Sequence, residues 1–219
     1  MKQEKNERKK IIKIIFLGNT DVGKTSLINT YNRRNFTDET VSNIGPLSYN
    51  KEIKINGEKY NIHLWDTAGQ ERYRSINKIY IKGSDIVIFV YDITNQNSFI
   101  DLKDFWVDYV EKIIGKNVII GIVGNKIDLF EDMVVSKNEG EKYAKEIGAF
   151  FLETSAKEDH KGIIEFINIL INEYISKYNF APKINDKSFN IKNPNEKTKK
   201  KKMEIVVLIN RKLNRIYCQ

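Results

Sequence analysis

Three short strings in this chain combine residue types suited to holding phosphates, a purine base and a metal ion. The first, GNTDVGKTS at 18–26, spaces Gly, four residues and Gly-Lys-Thr between an apolar run, IIKIIFL, and a helix-compatible stretch. Glycines at 18 and 23 let loop N–H groups face a phosphate, and the helix N-terminus that follows adds positive potential. Lys24 reaches the terminal phosphates, and the Thr25 hydroxyl suits Mg²⁺, a hard cation that takes oxygen ligands. Gly18, Asp21, Val22, Gly23, Lys24, Thr25 and Ser26 are therefore assigned to nucleotide contact. This loop alone separates neither ATP from GTP nor a kinase from a switch.

The base is specified farther along, at Asn125-Lys126-Ile127-Asp128, behind the apolar run IIGIVG. A carboxylate at Asp128 accepts two hydrogen bonds from the ring N–H and exocyclic amine of guanine, whereas adenine offers it the wrong pattern. A buried polar match of this kind discriminates by about 10⁴ to 10⁵, because the wrong base leaves the carboxylate unpaired. Thr154-Ser155-Ala156-Lys157 ends the next strand-like run, with the Ala156 N–H placed for the guanine carbonyl and Lys157 for support of the loop. The third string is WDTAGQERYRS, starting at Trp65. Asp66 closes a strand and can hold Mg²⁺ through water, and Gly69 offers an N–H to a γ-phosphate with no side chain in the way. Gln70 then stands where an attacking water is oriented, which makes Gln70 and Lys24 the candidate catalytic residues.

Six strand-like runs supply the frame: 11–17, 48–55, 59–65, 85–92, 117–124 and 149–154. Helix-compatible stretches lie near 24–33, 72–82, 98–114, 136–147 and 162–178. Asn56-Gly57 joins the second and third runs as a tight hairpin, while the others alternate with helices. The pattern predicts an α/β fold, a six-stranded mostly parallel sheet with one antiparallel edge and about five helices on its two faces. Ligands on such sheets bind at the carboxyl ends of the strands, where every motif above falls.

GNTDVGKTS, WDTAGQERYRS, GNKID and TSAK, in this order and spacing, resemble the small GTPases of the Ras superfamily, and the WDTAGQERYRS form is most similar to the Rab branch. The resemblance spans 11–178 and implies a G-domain in which GTP and Mg²⁺ order two loops that relax on hydrolysis to GDP. It implies an exchange factor, a GTPase-activating protein and effectors as partners, a monomeric chain, and a role in vesicle-mediated transport. Aligned on the motifs, Phe36 stands where the family places an aromatic beside the guanine.

Three departures qualify what the resemblance implies. The first-switch stretch reads VSNIGPLSY, so Asn43 replaces the Thr whose hydroxyl binds Mg²⁺. An amide oxygen is a hard ligand, but its longer arm must suit a near-ideal octahedron, and a weaker GTP-ordered state is expected. Thr20 occupies a phosphate-loop position that is Gly in Ras, so slow unaided turnover is expected, with an arginine finger restoring about 10³ to 10⁵ in rate. Of the aromatic trio on the Rab effector face, Trp65 and Tyr80 are present, but the first-switch member is Ser48, with Tyr49 one place along. A one-residue offset turns a strand side chain to the opposite face.

Charge is concentrated at one end. From residue 181 onward there are eleven Lys and Arg against three acids, which accounts for the +8 of the whole chain. The remainder is neutral on balance, arguing against a nucleic-acid-binding face there. The organisation expected is a charged extension at 1–10, a G-domain at 11–178 and a basic tail at 179–219. No apolar run approaches the roughly 18 residues of a membrane span, and no secretory signal precedes the first strand, so a cytoplasmic location is expected. Cys218, the single cysteine, lies near the end in Tyr-Cys-Gln, which matches neither a double-cysteine ending nor a C-a-a-X box. Lys199–Lys202 would assist a lipid on that thiol at an anionic endomembrane surface, at about 1 kcal/mol per charge. MEIVVLIN at 203–210 is apolar for a solvated linker.

Two rival readings stay open. One is a guanine-nucleotide-dependent binding module with little or no hydrolysis, motivated by Asn43 and the altered effector face. The other, an ATP-using kinase, would need an acceptor-binding lid that the sequence does not show, and it leaves Asp128 unexplained.

Overall fold

The computed structural model describes residues 10–32, 47–67 and 74–179. Phe36, Asn43, Gly69, Gln70 and Cys218, with the N-terminal extension up to residue 9 and the tail from 180, lie outside the described residues. Strands β1 (Lys10–Leu17), β2 (Leu47–Ile55), β3 (Glu58–Asp66), β4 (Ile86–Asp92), β5 (Ile119–Asn125) and β6 (Phe150–Thr154) form one sheet in the order β2-β3-β1-β4-β5-β6. All pairings are parallel except β2 with β3. The β2–β3 hairpin turns at Asn56 and Gly57, whose φ values of 49° and 84° are those a two-residue turn between right-twisted strands requires.

Strand composition explains strand position. Every residue of β4, IVIFVYD, is buried, as expected of a central parallel strand covered on both faces, whereas β2 alternates exposed and half-buried residues as an edge does. Side-chain alternation divides the core in two. Ile12, Ile14, Phe16, Ile86, Ile88 and Val90 face a layer built on helices α1 (Lys24–Tyr31) and α6 (Gly162–Asn179). Ile15, Leu17, Val87, Phe89 and Tyr91 face the opposite layer. There lie α2 (Arg74–Ile81), α3 (Gln96–Asp101), α4 (Val107–Ile114) and α5 (Lys137–Ile147). α5 starts with a reciprocal Ser136/Glu139 cap and stops at Gly148, at φ 69°.

The stretch expected as one helix at 98–114 differs in detail. α3 and α4 are contiguous parts of a single helical rod, joined by a π-helical turn, Leu102–Trp106. Among the described residues this makes five helical rods around the six strands. The effector-face expectation also resolves. Ser48 is exposed opposite Trp65, and Trp65 and Tyr80 meet with ring centroids 5.2 Å apart. Tyr49 pairs with Leu64 and packs on the α1/α6 core, on the other face of the sheet.

Candidate functional site

Strand register brings the motifs to one edge. Phe16 pairs with Asp66, Asp92 with Asn125, and Asn125 with Thr154, so the carboxyl ends of β1, β3, β4, β5 and β6 terminate side by side. Thr67, just past β3, donates its hydroxyl to the Phe16 carbonyl at 2.7 Å and ties the third motif to the start of the phosphate loop.

The loop between β1 and α1 takes backbone conformations that most residues avoid. Gly18 has φ 144°, Asp21 62° and Gly23 92°. A Cβ on Gly18 would lie 2.1 Å from the Val90 carbonyl oxygen, and one on Gly23 would lie 2.2 Å from Asn125 Nδ2, so both glycines are required by close approach as well as by φ. Val22 is buried, and its carbonyl faces Asn125. Ser26 sits on the first turn of α1, its carbonyl accepting the Thr30 hydroxyl.

Lys24 is 6% exposed and folds back over the loop, donating to the carbonyls of Gly18 at 3.1 Å and Asn19 at 2.6 Å. Burial lowers its ammonium from the ordinary 10.5 to about 8, against the opposing pull of Asp66 and Asp21. A buried cation at the mouth of a loop of backbone donors is arranged for a polyanion.

Thr25 Oγ1 donates to Asp66 Oδ2 at 2.6 Å, and Asp66 is wholly buried. A hydroxyl on the first turn of α1 and a carboxylate at the end of β3, this close, are a pair of hard oxygen donors that fits Mg²⁺, which keeps most of its other positions for water and phosphate.

The base-recognition loops are locked together. Asn125, 1% exposed, donates through Nδ2 to the Val22 carbonyl at 2.8 Å and accepts the Ala156 N–H on Oδ1 at 3.1 Å. One side chain thereby joins the phosphate loop, the β5 end and the β6 end. The Ala156 N–H assigned to a guanine carbonyl is held by Asn125 in this geometry, so base contact there requires sharing or exchange of that bond. Ser155 donates to Asp128 Oδ1 at 2.5 Å and accepts the N–H groups of Lys157 and Glu158, both at 3.1 Å, which orients the Asp128 carboxylate. Lys126 adopts φ 72° and pairs with Asp92 Oδ2 at 2.6 Å. Lys157 is exposed at the loop's outer side.

Of the residues assigned from the sequence, Gly18, Asp21, Val22, Gly23, Lys24, Thr25, Ser26, Asp66, Asn125, Lys126, Asp128, Ser155, Ala156 and Lys157 lie along one edge of the sheet. Asn19 and Asp92 join them there without having been assigned. Asn19 fills an unspecified position of the phosphate-loop pattern, and only its contacts mark it. Asp92 carried a signal: a carboxylate ending a strand that is otherwise apolar throughout.

The Ras family model matches residues 13–175. Ras-related protein Rab-21 of Homo sapiens is 42% identical over 153 residues, 70% of this chain and 67% of that protein. The Rab-21 proteins of Canis lupus familiaris and Mus musculus are 42% and 41% identical over the same length, each alignment covering 70% of this chain and 68% of the relative.

Proposed function

The chain belongs to the Ras family as a Rab-like small GTPase, and from that premise we propose that it binds guanine nucleotide at the edge described above and cycles between GTP and GDP with Mg²⁺ bound by Thr25 and Asp66. The observation that carries the reading is Asp128, a carboxylate held by Ser155 in a loop that Asn125 bolts to the phosphate loop. Two oxygens in a preset orientation match the paired donors of guanine.

Binding would exchange one set of contacts for another. The Lys24 ammonium, steered by the Gly18 and Asn19 carbonyls, has a third N–H for β- and γ-phosphate oxygens, and its charge offsets what develops on the leaving diphosphate. Thr25 and Asp66 would hold Mg²⁺, which would supply further charge neutralisation, the Thr25 hydroxyl giving up its bond to Asp66 so that both oxygens could serve the cation. Gln70 and Gly69 are assigned to the attacking water and the γ-phosphate from the sequence pattern. Hydrolysis then frees the two switch stretches, and exchange factor, GTPase-activating protein and effectors act on that difference. We assign the output to vesicle-mediated transport on the cytosolic face of an endomembrane, with the basic tail and Cys218 as the means of attachment.

A second reading, a guanine-nucleotide-dependent binding module, is favoured by Asn43 in the sequence and by Tyr49 facing away from Trp65 and Tyr80. Single-turnover GTP hydrolysis separates the two. Product formation that Gln70→Leu abolishes supports the switch. Retained GTP without turnover, even with a cell extract added as a source of activating protein, supports the module. For the base, Asp128→Ala is expected to lower GDP affinity by at least about 10²-fold, with ATP binding no better than before; equal retention of adenine and guanine nucleotides by the unaltered chain would refute the assignment.

A further inference from the structure

The carboxamide of Asn19 is engaged at both ends. Its Nδ2 donates to Asp101 Oδ2 at 2.6 Å, and its Oδ1 accepts the indole N–H of Trp106 at 3.2 Å. Its backbone carbonyl accepts Lys24 Nζ at 2.6 Å. Asp101 ends α3, and Trp106, among the largest fully buried side chains, ends the π turn.

Residues five apart in an α-helix point about 140° away from each other around the axis. A π turn closes residue i to i+5 and brings that pair onto neighbouring positions of one face. Here the Val107 N–H bonds to the Leu102 carbonyl, an i to i+5 closure, and Asp101 and Trp106 both reach the same side chain. An uninterrupted α-helix would present one of the two to Asn19 and turn the other away.

We propose that Asn19, Asp101 and Trp106 form a positioning set, assembled by the π turn, that holds the phosphate loop in its binding shape and sets how long the chain retains its nucleotide. The set rests on the guanine-nucleotide reading above and deepens it. The donor side of the Asn19 amide faces a carboxylate and the acceptor side faces an N–H, so the amide has one orientation only. That orientation fixes the peptide whose carbonyl steers Lys24. The rod that carries the set also packs against α2 through α4, which places the loop's support in contact with the helix that begins at the end of the WDTAGQERYRS motif.

The test uses the full chain loaded with a fluorescent GDP analogue in Mg²⁺ and chased with excess GDP. Asn19→Asp sets two carboxylates against each other and is expected to speed release about tenfold, by loss of a charge-assisted bond. Asp101→Asn combined with Asn19→Asp exchanges donor and acceptor, so both bonds re-form and release returns to within about twofold of the unaltered chain. Trp106→Phe keeps an aromatic side chain there but removes the indole N–H and part of its volume, with release about threefold faster expected. In a ¹⁵N-indole spectrum the Trp106 cross-peak, assigned by its loss in Trp106→Phe, shifts on nucleotide loading.

Failure of the unaltered chain to bind the analogue would strike at the guanine-nucleotide reading. Binding by the unaltered chain, with Asn19→Asp or Trp106→Phe releasing at its rate, or with the double variant no slower than Asn19→Asp alone, would overturn the positioning set. If Asn19→Asp does not fold, by circular dichroism, the release rate of Trp106→Phe and the indole shift decide the matter.

Discussion

Replacing Gly23 by Ala isolates the strut that joins the phosphate loop to the base-recognition loops. At φ 92° an L-residue costs about 1–2 kcal/mol in backbone strain. The new methyl would sit 2.2 Å from Asn125 Nδ2 and so must displace that amide. The displaced amide loses its bonds to the Val22 carbonyl and the Ala156 N–H, each contributing about 0.5–1.5 kcal/mol. With Asn125 only 1% exposed, water has little access to repair either. The total is about 2–5 kcal/mol, felt as a lower urea midpoint and as GDP affinity weaker by roughly 30-fold or more. In an Asn125→Ala background the clash and both bonds are already gone, so Gly23→Ala should cost only the strain of about 1–2 kcal/mol. The two changes should therefore couple by about 1–3 kcal/mol. If Gly23→Ala costs the same in both backgrounds, or is neutral in the first, the strut does not bear the load assigned to it.

Lys24 makes stability and binding pH-dependent. Its folded pKa of about 8 lies below the ordinary 10.5, so between those values the unfolded chain holds more protons and stability from this group rises with pH, the burial cost being present in full below 8. Unfolding temperatures of the nucleotide-free chain across that range should show a rise that Lys24→Met lacks. Phosphate contact restores the charge, so GDP binding above pH 8 should take up a proton, measurable by calorimetry in buffers of different ionisation enthalpy. Lys126→Ala breaks a pair whose side chains are 31% and 8% exposed, while Asp92 keeps two bonds from Thr94; a urea midpoint change equivalent to about 1 kcal/mol is expected. Gly140→Ala, at the end of the first turn of α5, should gain up to about 1 kcal/mol of helix propensity. Its methyl would nonetheless meet the Tyr91 hydroxyl at 2.4 Å and Phe151 at 2.7 Å, and a net loss of about 1–2 kcal/mol is expected, smaller in a Tyr91→Phe background.

Much of the fold was legible because local signals agreed with the tertiary result. Asn56-Gly57 marked the hairpin, Ser136 and Glu139 the start of α5, and unbroken apolar runs the central strands. The π turn was not legible. The run Leu102–Trp106 has ordinary helical composition, and the two side chains that the wider turn brings together bond to a loop more than 80 residues earlier in the chain. The second task of Asn125 was likewise not legible: its type and place point to nucleotide contact, and the fold adds that its side chain joins the phosphate loop to the end of β6.

Residue type and spacing alone determined the chemistry available here: a glycine-rich loop with Lys24 and Thr25, a carboxylate at 66, another at 128, and the order in which strands deliver them. These follow from short-range rules, since a turn, a cap or a phosphate cradle is built from neighbours in the chain. The choice of partner for each polar group was decided only by the folded sheet. Packing sets loops distant in sequence within hydrogen-bond reach, and burial favours donors that find an acceptor there, so the partners of Asn19, Asp92 and Asn125 were set by the fold and not by their neighbours in the chain.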